Sequence, residues 1–298
     1  MTTFFSIPRK WTDRISNTWL NVATFFLLLL PLAIGLGLVL ESLPLLRTHS
    51  FFRLIGSSDW SPLEGKFGFF PFIIGSLLVT LLSFILSAPV CVLAAIYLTQ
   101  YAPRRLMQTM YFIIDVLAGI PSVVYGVWGV LVVVPLIGEH IAPAFGLTST
   151  GYCLLSGGVV LAIMSVPYML NMLMEVLRNI PIELKEASLS LGATYWETIK
   201  KVLLRQGKTG IIAALNLGIS KALGETIAVL MVVGNVVQVP HNVFQPAYPL
   251  PALIANNYGD MMSIPMYGSA LMLSALLLFI IIILFNILTN SLVYQRNK

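Results

Sequence analysis

Lys221 and Glu225 stand four residues apart in LGISKALGETIAVLMVVGN, Leu217 to Asn235, within an otherwise apolar run. Two side chains at that spacing share one face of an α-helix. Lys221 lies twelve residues beyond Thr209, about 18 Å along a helix. A charge at membrane depth costs about 2.5–3.5 kcal/mol, so such groups face a protein interior or a water-filled path and find partners there. A cation on a path suits an anionic cargo. The same pair also suits mutual neutralisation that holds a helix bundle together, with Asp115 as an additional partner. Ser122 and Tyr125, in AGIPSVVYGVWG from Ala118 to Gly129, bring hydroxyl donors into a second apolar run. Gly119, Pro121, Gly126 and Gly129 argue against one straight helix there. Broken backbone is tolerated at that depth where it is buried in protein or lines a cavity. Small residues in this pattern equally serve a close helix crossing.

No catalytic or metal-binding set is expected. His49, His140 and His241 fall in loops without Cys or acidic neighbours at ligand spacing. Gly207-Lys208-Thr209 resembles the end of a phosphate-binding P-loop, but Val202 stands where the first Gly is required and no strand precedes it. Cys91 and Cys153 lie in apolar runs, where a free Cys behaves as a small hydrophobe. The expectation is a non-enzymatic chain that binds no cofactor itself.

These residues must be positioned by helices in a bilayer. Hydrophobic residues make up 58% of the chain, charged residues 10%, and the mean hydropathy is +0.91. Such a composition defines an all-α polytopic membrane protein. Six segments reach the roughly 20 residues a crossing needs: Val22–Leu40, Phe70–Leu98, Thr109–Ile137, Cys153–Met174, Thr209–Val237 and Tyr267–Leu292. With both termini in the cytoplasm, 13 of the 17 Lys and Arg fall inside, at 9, 10, 14, 104, 105, 178, 185, 200, 201, 205, 208, 296 and 298. Only Arg47, Arg53 and Lys66 fall outside, and Lys221 lies within a span. The excess of inside cations favours that orientation, so the net charge of +5 is topology rather than nucleic-acid binding. The first apolar run is too long for a secretory signal and no small-residue cleavage site follows it before Glu41. One domain is expected: an N-terminal cytoplasmic segment 1–21, a transmembrane body 22–292 with a cytoplasmic loop at 175–208, and a cytoplasmic tail 293–298.

That loop carries ELKEASLSLGATYWETIKKVLL, Glu183 to Leu204, a charged helical stretch between two apolar runs. Glu183, Lys185, Glu186 and Ser190 are expected to face water or a partner. Leu184, Ala187 and Leu191 form an apolar stripe, and Gly192 permits a sharp turn where a side chain would clash. A helix-in-groove contact is the expected use. The order Glu186-Ala187-Ser188, three residues, Gly192, nine residues, Val202-Leu203-Leu204 resembles the Glu-Ala-Ala loop of ABC importer permeases. Ser188 replaces that loop's second Ala, Val202 its Ile, and Arg205 its Pro.

AGIPSVVYG, the Glu186 loop and KALGETIAVLMVVGN occur in the order and spacing of phosphate ABC transporter permeases, and the chain resembles the PstC-type subunit from about Phe67 to Asn235. The resemblance implies a type I ABC importer permease fold in a bacterial inner membrane. It implies a substrate path at Lys221, Glu225, Ser122 and Tyr125, and coupling to an ATPase through Glu183, Glu186, Ala187, Ser188 and Gly192. It further implies a second homologous permease, two ATPase subunits that bind ATP and Mg, an extracytoplasmic phosphate-binding protein, and inorganic phosphate as cargo. The family position of Lys221 is usually Arg, whose planar fork binds phosphate at two points. Another oxyanion such as sulfate or molybdate therefore stays open, as do a secondary anion transporter and a membrane sensor, neither of which requires the coupling loop.

Overall fold

The computed structural model describes residues 9–264 and 266–295. Arg296 and Lys298 of the expected tail lie outside the described residues, as do the side chains of Arg9, Lys10 and Arg14. The described chain is almost entirely helical. In order it forms α1 (Arg9–Thr48), α2 (Phe51–Gly56), a small antiparallel hairpin of β1 (Trp60–Ser61) and β2 (Lys66–Phe67), α3 (Phe70–Ile96), α4 (Arg104–Gly119), α5 (Ser122–Trp128), α6 (Leu154–Arg178), α7 (Ile182–Ser190), α8 (Lys208–Gly224), α9 (Ile227–Val232), α10 (Leu250–Asn257) and α11 (Tyr267–Gln295). Wide π-type turns extend α3 through Tyr97–Tyr101 and α5 through Gly129–Val133.

Among the described residues, five helical runs are long and apolar enough to cross a bilayer: Ser16–Thr48, Phe70–Tyr101, Ser122–Ala144, Leu154–Arg178 and Tyr267–Thr289. The remaining expected crossing, Thr209–Val237, is not one helix. It divides into the 17-residue α8 and the 6-residue α9, with Glu225 extended at φ −73° and ψ 129° between them. The expected Thr109–Ile137 crossing is also broken: α4 stops at Gly119, Ile120 and Pro121 are extended, and α5 starts at Ser122. Pro121 has no N–H to continue the α4 ladder, and a residue before Pro is driven out of helical conformation, which accounts for the break at Ile120.

α3 and α6 lie side by side at the centre, and α8 packs against both. Leu161 and Leu173 of α6 are fully buried, as are Cys91 and Ala95 of α3. At one end, Trp60 of the hairpin meets Phe67, Phe69, Phe72 and Tyr267 edge to face at 5.7, 5.5, 4.8 and 5.9 Å. The hairpin thereby joins α3 to α11, with Leu250 and Leu253 of α10 buried in the same cluster. The α1 helix packs on α11 and leaves Phe25, Phe26, Leu27 and Leu28 uncovered, as suits side chains that meet lipid.

Candidate functional site

The two broken helices meet at Tyr168 of α6. At the end of α4 the carbonyls of Leu117 and Ala118 lack their four-residue helical donors, and Leu117 accepts only from the capping Ile120 N–H at 3.3 Å along the backbone. The Tyr125 hydroxyl donates to the Leu117 oxygen at 2.8 Å, and the Tyr168 hydroxyl donates to the Ala118 oxygen at 2.8 Å. Tyr125 is only 7% exposed, so its phenol fastens the break from within. Ser122, half-buried, opens α5 on the other side of the gap. One turn further on, α5 approaches its neighbours closely: a Cβ at Gly129 would stand 2.7 Å from Val160 of α6 and 2.8 Å from Val232 of α9. The small residues of AGIPSVVYGVWG thus serve both readings offered by the sequence, a helix break and a tight crossing.

Lys221 lies in the last turn of α8, where the carbonyl ends of the helix favour a cation. Its Nζ stands over the Tyr168 ring, 2.7 Å from the centroid. Asn216 and Ser220 set the rotation of α8: the Asn216 amide donates to Asn286 Oδ1 of α11 at 2.8 Å, and the Ser220 hydroxyl donates to the same oxygen at 3.3 Å. With that face turned to α11, the next residue faces α6.

The helix ends between Lys221 and Glu225, so the two do not share a helical face as their spacing predicts. Gly224 closes α8 and Glu225 turns into extended backbone, which removes the geometry that a four-residue separation assumes. Among the described residues the only ion pairs are Lys66–Glu64 and Lys201–Glu197, so neither Glu225 nor Asp115 neutralises Lys221. Asp115 is exposed on α4. Lys221, Tyr168, Tyr125 and the α4 terminus come together; Glu225 stays half-buried in the α8–α9 gap.

The loop at the other end of α6 is a helical hairpin. α7 turns at Leu191–Ala193 and a second helical run follows from Tyr195 to Gln206. Thr194 caps that run: its hydroxyl accepts from the Glu197 N–H at 3.3 Å, while Glu197 Oε2 accepts from the Thr194 N–H at 3.1 Å. Hydrogen bonding from Lys201, then from Thr194, lowers the Glu197 carboxyl to about 2. Gly192 sits at φ +84°, and nothing lies within 4 Å of a Cβ placed there. The requirement for Gly is therefore left-handed backbone rather than the expected clash.

The inward face of α7 is polar. Lys185 donates to Gln100 Oε1 at 3.1 Å and to the Tyr195 hydroxyl at 2.7 Å, and its Nζ also lies 4.5 Å from the Tyr195 ring centre. Ser188 shares a 2.9 Å hydrogen bond with Thr198. Leu184, Ala187 and Leu191, the expected apolar stripe, are exposed together with Glu183 and Glu186, and Leu191 is 89% so, whereas Lys185, expected to face water or a partner, is turned inward. The hairpin is tied to its own chain by these hydrogen bonds and by buried Ile199 and Leu203 of its second run, while α7 turns its apolar side chains outward.

Tyr168, Asn216, Asn286 and Gln100 were not distinguished by sequence motifs. Their only sequence signal is a polar group within or at the end of an apolar run, which Ser and Thr in the same runs share.

A helical membrane body with two interrupted helices at an unneutralised cation, and a hairpin projecting at one end, has the construction of a transport permease. The chain belongs to the family described as the binding-protein-dependent transport system inner membrane component, which matches residues 87–296. It is 35% identical over 270 residues to the phosphate transport system permease protein PstC of Pasteurella multocida (strain Pm70), covering 86% of this chain and 83% of that protein. It is 32% identical over 304 residues to the PstC of Haemophilus influenzae (strain ATCC 51907 / DSM 11121 / KW20 / Rd), covering 95% and 96%. Among solved structures, an inward-facing conformation of the MetNI methionine ABC transporter aligns with TM-score 0.57 at 22% identity, covering 74% of this chain and 92% of that one. That likeness is one of fold.

Proposed function

We propose that this chain is the transmembrane permease subunit of an ATP-driven inorganic phosphate importer. It lies in a bacterial inner membrane with both termini in the cytoplasm. The observation that carries the reading is the Lys221 ammonium, held on an aromatic ring with no carboxylate within 4 Å among the described residues, beside two broken helices. An ammonium so placed has hydrogen-bond donors that no carboxylate occupies and that an oxyanion can take. Similarity to PstC proteins over most of the chain supports phosphate as that oxyanion.

In this reading the chain forms the pathway with a second, homologous permease. Two ATPase subunits hold ATP and Mg, and an extracytoplasmic binding protein delivers phosphate. The outward apolar side of α7, with Glu183 and Glu186 around it, is the ATPase contact, and the Gly192 turn lets the hairpin move as a unit. ATP binding draws the ATPases together, the hairpin carries that movement to α6 and α8, and the path opens outward. Phosphate passes Lys221, with Ser122, Tyr125 and Glu225 lining the route, and hydrolysis restores the inward state.

Uptake of labelled phosphate by vesicles holding the assembled importer tests this. Lys221→Gln removes the charge while keeping a polar, unbranched side chain one atom shorter. Loss of uptake from an intact complex supports the path; full uptake contradicts it.

A further inference from the structure

We propose that Tyr168 is the positioning residue for the pathway cation: its ring holds the Lys221 ammonium on the anion route while leaving the positive charge uncompensated. The inference rests on the reading of Lys221 as that cation and adds a residue that the sequence motifs do not contain.

An ammonium inside a membrane protein usually finds a carboxylate. That solution would oppose transport, because an arriving oxyanion would have to displace a fixed negative charge. The face of an aromatic ring attracts a cation through its quadrupole and carries no net charge. Here the ring centroid lies 2.7 Å from Lys221 Nζ. Only the donors directed at the ring are engaged, and the others stay free for a ligand. The ring itself is held at its far end, where its hydroxyl donates to the Ala118 oxygen at 2.8 Å. Lys221 is thereby tied through one side chain to the break between α4 and α5.

The ring is also reachable. Tyr168 is 38% exposed although its helix neighbours Met169 and Leu170 are buried. A tyrosine placed only for packing would turn its face toward the core; this one offers its face to a cation. The rotation of α8 that delivers Lys221 is fixed independently by Asn216 and Ser220 on Asn286, so removing the ring need not release the helix.

The test changes the ring's electrostatics at nearly constant shape. Phe, trifluoro-phenylalanine and pentafluoro-phenylalanine are placed in turn at position 168 of the full chain, in the assembled importer. Labelled inorganic phosphate uptake is measured with saturating phosphate-loaded binding protein. Fluorine drains the negative face of the ring, so uptake is expected to fall stepwise, by about tenfold across the series. The same series in a Lys221→Gln background is expected to be flat. A flat series with Lys221 present overturns the proposal, and so does an equal decline in the Lys221→Gln background, which would mark a packing effect. Unimpaired uptake by Lys221→Gln alone would instead overturn the pathway reading beneath it.

Discussion

The hydroxyl of Tyr168 donates to the carbonyl oxygen of Ala118 at 2.8 Å, joining the middle of α6 to the broken end of α4. Fifty residues of sequence separate the two. The same side chain carries Lys221 on its ring, so one tyrosine connects the helix break to the intramembrane cation. Movement of α6 therefore reaches both.

Replacing Lys221 removes the only described cation at this junction. Hydrogen bonds to charged groups contribute about 1.5–3 kcal/mol, so Lys221→Gln is expected to slow phosphate uptake by about 10- to 100-fold. Lys221→Arg keeps the charge and adds a planar fork, and is expected to retain most activity. Uptake assays on complexes shown intact by size-exclusion chromatography check both variants.

Gly192 has φ +84°, a conformation that costs a β-branched residue about 1–2 kcal/mol. Gly192→Val is expected to distort the turn and raise the ATP hydrolysed per phosphate carried, with expression preserved because no neighbour contacts the added atoms. Gly192→Asn, which tolerates left-handed backbone, is expected to stay close to the parent. Paired measurement of hydrolysis and uptake distinguishes them.

The outward leucines of the hairpin touch nothing within the chain that would unfold without them. Leu191→Asp and Leu184→Asp are expected to leave the permease's thermal stability in detergent nearly unchanged and to abolish co-purification of the ATPase subunits. A loss of stability with retained co-purification would place those side chains in the fold instead of the interface.

Gly129 lies at a close crossing, where an added Cβ would stand 2.7 Å from Val160 and 2.8 Å from Val232. A side chain larger than hydrogen must displace Val160 or Val232, and overpacking of this kind costs about 1–3 kcal/mol. Gly129→Leu is expected to lower the melting temperature of the purified chain, measured by a thiol-independent unfolding assay. An unchanged melting temperature would mean that α5 moves away at no cost.

The helix after the turn has a pH signature. Glu197 is lowered to about 2 in the fold by Lys201 and Thr194, against about 4.3 for a free Glu. Its contribution is fully present above the unfolded value and is lost as pH falls through the folded one. Amide exchange across Tyr195–Gln206 is expected to stay protected until pH drops below about 4, then to rise. Thr194→Ala is expected to remove about 1 kcal/mol of capping and to raise exchange at neutral pH.

Much of this architecture is legible in the residues. Apolar length locates five of the runs, and Pro121 among glycines announces the α4–α5 break. The order of three motifs is enough for the permease family. Other features are set by tertiary contacts that periodicity does not encode. Lys221 and Glu225 look like one helical pair because a lone Gly is also tolerated inside an apolar helix; here α8 ends at Gly224 and Glu225 is extended. The inward turn of Lys185 on α7 is of the same kind: pattern alone puts it toward water or a partner, whereas Gln100 and Tyr195 take its ammonium and Thr198 takes Ser188. Tyr168 carries no spacing signal at all, since its partners come from two other helices.

The most direct test of the central claim is labelled phosphate uptake into vesicles containing this chain with its permease, ATPase and binding-protein partners, with and without ATP, and against excess sulfate or molybdate. The account predicts ATP-dependent uptake that sulfate and molybdate do not reduce and that Lys221→Gln slows by about 10- to 100-fold. Uptake without ATP would contradict the ABC permease assignment, and effective competition by sulfate or molybdate would contradict phosphate as the cargo.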